Sequence, residues 1–420
     1  MRLTPASRGV ECAALVLLLV QWLALGAWAV SWLAADGRGG EGMPPLGHDL
    51  RVFWTVSWIT EQFGALAAFD PTVLIPTQLR FFPAYPEAGR WLYPPPFQWL
   101  IAPISRLPYP LVYALYVALS IALLVAAVRY WRRLAGWPWL VVGAFPGLWV
   151  TLLAGQNSVL TLWLTTMAIT YASRRATLAG VCGGLLIIKP QFAVLLPLWW
   201  LCGRHWRALT WAAITAAIVF GLTLLWSGWT LWQAFLTAVS QFNAQGVQQG
   251  AGGIWHAMPT VFALARLHGA GLPLAYGWHA AIAAPSVIGA AWLWRRRAPL
   301  RWRVASAMIA TLLAQPYLLY YELVWLIVPL LCLSCEAVGA GDAHDASPEV
   351  GGRREPRGGA WQRVDRWLVA AAWLLPMQAY LAVLWPPMGQ WGAVVLPMLM
   401  ARTLWRAWQA PDAHNDAHRL

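Results

Sequence analysis

Asp49, Lys189 and Glu322 are the side chains best suited to chemistry in a sequence that offers little of it. Asp49 stands in Gly47-His48-Asp49-Leu50-Arg51-Val52-Phe53-Trp54. An aspartate there either caps a following helix by accepting backbone N–H bonds or takes a proton from a reacting hydroxyl. Lys189 is the only lysine in the chain, and it is followed by Pro190 and flanked by Ile187, Ile188 and Phe192. A lysine at membrane depth costs about 2.5–3.5 kcal/mol on insertion scales and usually serves an anion or substrate, although one near a helix end can instead snorkel to the interface. Glu322 follows Tyr317, Tyr320 and Tyr321, where it can bind sugar hydroxyls, pair with Lys189 or Arg51, or cap a helix. Gln156 and Asn157, after Gly155, are hydrogen-bonding groups at a helix-hairpin tip or simply a turn and cap. His256, among Gly252, Gly253 and Pro259, is a ligand or a structural histidine.

The elements that must position these groups are membrane helices. Of 420 residues 60% are hydrophobic and 11% charged, well below the quarter or so typical of soluble domains. The net charge of +13 comes in short arginine clusters between apolar runs, which points to membrane-protein loops rather than to nucleic acid. Residues 10–34 form an apolar run that follows Arg2 and Arg8, so we read an uncleaved first helix with a cytoplasmic N-terminus. With each arginine cluster on the cytoplasmic side, about twelve crossings result, both termini lie inside, and the polar motifs at 155–157, 189–191, 227–257 and 315–322 face outward with the first outer loop, 35–92. Residues 177–188 and 191–202 are short for full spans. The proline-rich start of 93–128 predicts a re-entrant or half-spanning piece. We expect one membrane-embedded module over 1–338, a flexible cytoplasmic linker over 339–365, and a C-terminal helix pair with a short tail over 366–420.

No acidic residue occurs between Glu87 and Glu322, so carboxylate chemistry falls to the first outer loop, to Glu322 or to the ends. That loop holds Asp36, Glu41, Asp49, Glu61, Asp70 and Glu87, and the stretch around Asp49 is followed by an amphipathic pattern through Phe69 that predicts an interfacial helix, with Phe53, Trp54, Trp58 and Phe63 at headgroup level. The five cysteines fall in apolar segments, and the lone Cys332/Cys335 pair reads as small buried residues. HExxH, Walker and GxSxG patterns and metal-ligand spacings are absent.

At these residues the chain resembles glycosyltransferase family 87, polyprenol-phosphate-mannose-dependent mannosyltransferase-like enzymes of the GT-C superfamily. The resembling blocks are Gly47 to Trp54, Trp91-Leu92-Tyr93-Pro94-Pro95 through Pro108, Gly155-Gln156-Asn157, Leu178 through Lys189-Pro190-Gln191, and Gln315-Pro316-Tyr317 through Leu323. Two positions depart from the family pattern, which commonly has Asp-Phe at Asp49-Leu50 and Tyr-Asp at Tyr321-Glu322.

The resemblance implies an all-α polytopic GT-C-type bundle with an outward-facing site beneath the first outer loop. It also implies a polyprenyl-phosphate-linked hexose donor, typically mannose, and Asp49 as the catalytic base. Taken with the residues, the expected substrate-binding set is Arg51, Trp54, Tyr93, Gln156, Asn157, Lys189, Gln191, His256, Tyr320 and Glu322. Lys189 and Arg51 are the cations available to the leaving phosphate. No metal or other cofactor is expected, the partners being the lipid-linked donor, a glycolipid or glycan acceptor and membrane lipids, with no nucleic acid. The expected location is the bacterial plasma (inner) membrane. A lipid-linked sugar flippase without transferase activity is the rival reading.

Overall fold

The computed structural model describes residues 5–34, 46–83, 88–341, 362–384 and 389–409, and no strand occurs among them. The helices are α1 (Pro5–Ala34), α2 (His48–Phe63), α3 (Pro71–Phe81), α4 (Pro95–Ile101), α5 (Tyr109–Ala135), α6 (Trp139–Gly143), α7 (Pro146–Ala154), α8 (Ser158–Thr170) and α9 (Ala176–Leu185). They continue as α10 (Leu196–Gly203), α11 (Trp206–Phe242, kinked at Gly228), α12 (Val261–Leu267), α13 (Leu272–Arg295), α14 (Leu300–Leu313), α15 (Ile327–Gly341), α16 (Arg363–Leu374), α17 (Gln378–Leu384) and α18 (Gly392–Gln409).

Among the described residues three helical stretches are long and apolar enough to cross a membrane, Val10–Ala27, Tyr109–Ala135 and Trp206–Gln248. Four shorter apolar ones, Ser158–Thr170, Ala176–Ile188, Pro190–Gly203 and Tyr320–Cys335, fall below the ~20 residues that a ~30 Å hydrocarbon layer needs. These apolar helices, with no strand among the described residues, are those of a helical membrane protein. Prolines such as Pro138, Pro146 and Pro190 each lack an N–H and break the apolar runs into short pieces. Short helical pieces occur in both regions: Ala176–Leu185 passes into a 3₁₀ turn at Leu186–Ile188, and between Tyr93 and α5 stand the seven-residue α4 and a 3₁₀ turn at Ile104–Arg106. Of the linker expected over 339–365, residues 342–361 lie outside the described residues, as does the tail from 410.

The chain divides into two compact units. One comprises Met1–Leu124, Leu148–Val194 and Arg207–Ile254, the other Val125–Gly147, Leu195–Trp206 and Trp255–Leu420. In the first, α2 packs on α3 and α4, with Ser57 Oγ donating to the Ala102 carbonyl at 2.7 Å and Gln98 Nε2 to that of Ala65 at 2.7 Å. In the same unit α9 lies against α11 through Gly180 and Gly184, a small-xxx-small pair that lets the backbones meet. In the second, α14 packs against α13, α15 and α18 and is buried on every side from Val304 to Leu313, as befits a helix apolar all round.

The interfacial helix expected to run through Phe69 is corrected. It ends at Phe63, because Gly64 (φ 89°, ψ 160°) leaves helical space, and Ala65–Phe69 forms a 3₁₀ turn. Among the loop acids, Asp70 caps α3, accepting from the Thr72 N–H at 2.8 Å and hydroxyl at 2.7 Å, and this pair of bonds holds its carboxyl below the usual range. Glu61 meets Arg106 at 3.1 Å on the surface. Asp36, Glu41 and Glu87 lie outside the described residues. All five cysteines are free, and Cys332 is buried.

Candidate active site

Asp49 does not cap its helix. The cap position is Gly47, in left-handed conformation (φ 70°) with no side-chain cap bond, and Asp49 sits within the first turn of α2, where the helix dipole favours an anion. Its Oδ2 accepts from Gln156 Nε2 at 2.7 Å, and its Oδ1 lies 3.5 Å from His48 Nε2. The carboxylate side chain is 26% exposed, so it is held and yet reachable.

Gln156 belongs to the tip between α7 and α8. Gly155, at φ 74°, makes that tip possible, because a Cβ there would come within 2.6 Å of Leu50 Cβ and 2.7 Å of Gly47 Cα. The tip therefore abuts the first turn of α2 directly, and the Gly47 N–H donates to the Leu153 carbonyl at 3.0 Å. Three tyrosines of α5 hold this junction. Tyr109 Oη donates to the carbonyls of Leu46 and, at 2.8 Å, Gly47; Tyr113 Oη reaches the Leu152 carbonyl at 3.2 Å; Tyr116 Oη reaches those of Thr151 and Gln156, both at 2.9 Å. Sequence reasoning missed them, although their i, i+4, i+7 spacing on an otherwise apolar helix places all three hydroxyls on one face.

The network continues from Gln156. Tyr93 Oη donates to Gln156 Oε1 at 2.7 Å, and its ring packs edge-on against Phe53, 5.2 Å between centroids. Lys189, 5% exposed, donates from Nζ to Asn157 Oδ1 at 3.0 Å, with the rings of Tyr93 at 5.8 Å and Phe192 at 5.6 Å. Asn157 Nδ2 is buried and has no hydrogen-bond partner among the described residues. A buried ammonium beside an open N–H donor is suited to an anion such as a phosphate.

The remaining expected residues make other contacts. Arg51 is 2% exposed and donates from Nε to the His48 carbonyl at 3.1 Å, bracing the first turn of α2. Trp54 donates to the Leu107 carbonyl at 3.0 Å and packs on Phe81, while Gln191 is exposed. His256, Tyr320 and Glu322 belong to the second unit. There Tyr320 Oη donates to Gln390 Oε1 at 2.7 Å, and Gln390 Nε2 donates to the carbonyls of Trp255 at 2.9 Å and His256 at 3.1 Å. Gln390 thus ties the His256 turn to Tyr320, a role that nothing in its apolar sequence surroundings signals. Glu322 is buried in the 3₁₀ turn Tyr320–Leu326.

No curated protein and no solved structure matches the chain. The family model for glycosyltransferase family 87 matches residues 91–316, a stretch that includes Tyr93, Gln156, Asn157, Lys189, Gln191 and His256 and begins beyond Asp49. Since that is just over half of the 420 residues, and the fold is that of a helical membrane protein, the chain belongs to glycosyltransferase family 87 and is a membrane glycosyltransferase.

Proposed function

We propose that this enzyme transfers a hexose, mannose in the first instance, from a polyprenyl-phosphate donor to a lipid or glycan acceptor on the extracytoplasmic face of a bacterial plasma membrane, in a GT-C-type bundle of about twelve crossings. The observation that supports this reading best is the two-residue tip Gln156-Asn157, which links a reachable carboxylate, Asp49, to a buried ammonium, Lys189. Asp49 takes the proton of the acceptor hydroxyl as its oxygen bonds to the anomeric carbon. The bond from that carbon to the phosphate oxygen breaks on the opposite face, its electron pair leaves with the polyprenyl phosphate, and the configuration inverts. Lys189 and Asn157 Nδ2 stabilise the charge that grows on the departing phosphate, a task that needs no metal ion here. Arg51, whose Nε donates to the His48 carbonyl, braces the first turn of the helix that carries Asp49.

The test is Asp49→Asn in proteoliposomes given labelled polyprenyl-phosphate hexose. Loss of transfer by at least ~10²-fold at unchanged folded yield is expected, in line with the removal of a general base. An active variant would overturn the assignment of Asp49.

A further inference from the structure

We propose that Gln156, expected from the sequence to bind substrate, is instead the positioning residue of the base: it holds Oδ2 of Asp49 so that Oδ1 is the atom that takes the acceptor's proton. This rests on the reading of Asp49 given above.

Every polar atom of Gln156 is already engaged within its own unit. The backbone N–H donates to the Thr151 carbonyl at 3.3 Å, and the backbone carbonyl accepts from Tyr116 at 2.9 Å. The side-chain Nε2 donates to Asp49 and Oε1 accepts from Tyr93, each at 2.7 Å. The residue is 5% exposed. A sugar-binding amide needs free donors and acceptors, as its neighbour Asn157 has in Nδ2. Gln156 has the opposite character, that of a strut fixed at four points.

The amide's orientation follows from charge. An ionised carboxylate only accepts hydrogen bonds, so Gln156 must offer it the NH₂ end, which turns Oε1 toward the Tyr93 hydroxyl. Tyr93 thereby fixes the orientation from behind. The other titratable and charged groups around the carboxylate are His48 at 3.5 Å from Oδ1, Arg51 on the same helical turn, and Tyr109 and Tyr116 of α5, both within electrostatic reach of Asp49. Lys189 joins through Asn157 and the Tyr93 ring.

The experiment compares Gln156→Ala, Gln156→Glu and Tyr93→Phe with Asp49→Asn, using the full-length protein in proteoliposomes and measuring kcat, KM and the pH–rate profile. Loss of a group that only aims the base lowers kcat and leaves KM alone. For Gln156→Ala we expect kcat down at least ~10-fold with KM within about twofold. Gln156→Glu sets two carboxylates about 3 Å apart, which cannot both ionise freely, so the acidic limb of the profile should move up by about one pH unit or more. Tyr93→Phe, a mild change that keeps the ring packing, should give a smaller kcat loss of the same kind and guards against misfolding of the Gln156 variants. If instead KM rises while kcat and the acidic limb stay put, Gln156 binds substrate and the proposal is overturned. If Asp49→Asn is itself active, the reading of the base fails; if Asp49→Asn is inactive and the limb of Gln156→Glu does not move, only the role of Gln156 fails.

Discussion

Replacing Gly155 by alanine puts the junction between the 155–157 tip and α2 under direct strain. Gly155 sits at φ 74°, where an L side chain costs ~1–2 kcal/mol. The new Cβ would lie 2.6 Å from Leu50 Cβ, 2.7 Å from Gly47 Cα and 2.9 Å from the Leu50 nitrogen, and two of these are backbone atoms that cannot swing aside. Overpacking of that kind costs ~1–3 kcal/mol, for a sum of about 2–5 kcal/mol if nothing moves. The cheaper relief is for the tip to retreat by ~0.8 Å, enough to restore ordinary van der Waals contact at about 3.4 Å. That displacement stretches the 2.7 Å bond between Gln156 and Asp49 to the edge of hydrogen-bonding distance. Misplacement of a catalytic group by about 1 Å costs of the order of 10²-fold in rate. The assay is transfer from labelled polyprenyl-phosphate hexose in proteoliposomes, beside the thermal midpoint of the detergent-solubilised protein, with Gly221→Ala as control because nothing lies within 4 Å of a Cβ there. We expect Gly155→Ala to lose several degrees and most of its activity while Gly221→Ala keeps both. A Gly155→Ala protein with unchanged midpoint and rate would refute the close approach of tip and helix.

Two further predictions concern the scaffold. Gly184→Val should lower the thermal midpoint and the folded yield, because even a Cβ would stand 2.6 Å from Thr215 Cβ and 2.7 Å from the Ala212 carbonyl oxygen, forcing α9 off α11; an unaltered midpoint would contradict that packing. Asp365 accepts from Arg402 Nε at 2.7 Å and Arg406 Nη1 at 2.9 Å, all three side chains being largely buried. Burial alone would raise its carboxyl, but the bonds from Arg402 and the Gln362 N–H and the nearby guanidinium charges outweigh it and hold it below its ordinary value. The resulting stabilisation is full above about pH 4 and is lost as the pH falls through the folded-state value. Asp365→Asn should therefore cost about 3 kcal/mol at pH 7, and the gap from the parent should narrow in acid, as followed by thermal unfolding across pH.

The sequence alone determined the membrane class, the helical architecture with its proline-broken short pieces, the turn at 155–157, and the short set of side chains worth testing. These are local properties: apolar composition, proline's missing N–H and a glycine before two amides act within a few residues. Tertiary structure decided how the candidates relate. Asp49 and Gln156 are 107 residues apart, and Asn157 and Lys189 are 32 apart, so which amide meets the carboxylate and which the ammonium depends on where whole helices stop and how closely Gly47 and Gly155 let two backbones approach. The tyrosine face of α5 was visible as a spacing, but its carbonyl targets come from two other segments of the chain. Gln390, 134 residues from the His256 carbonyl it holds, carried no signal, because a glutamine's partner is set by packing and not by its neighbours in sequence.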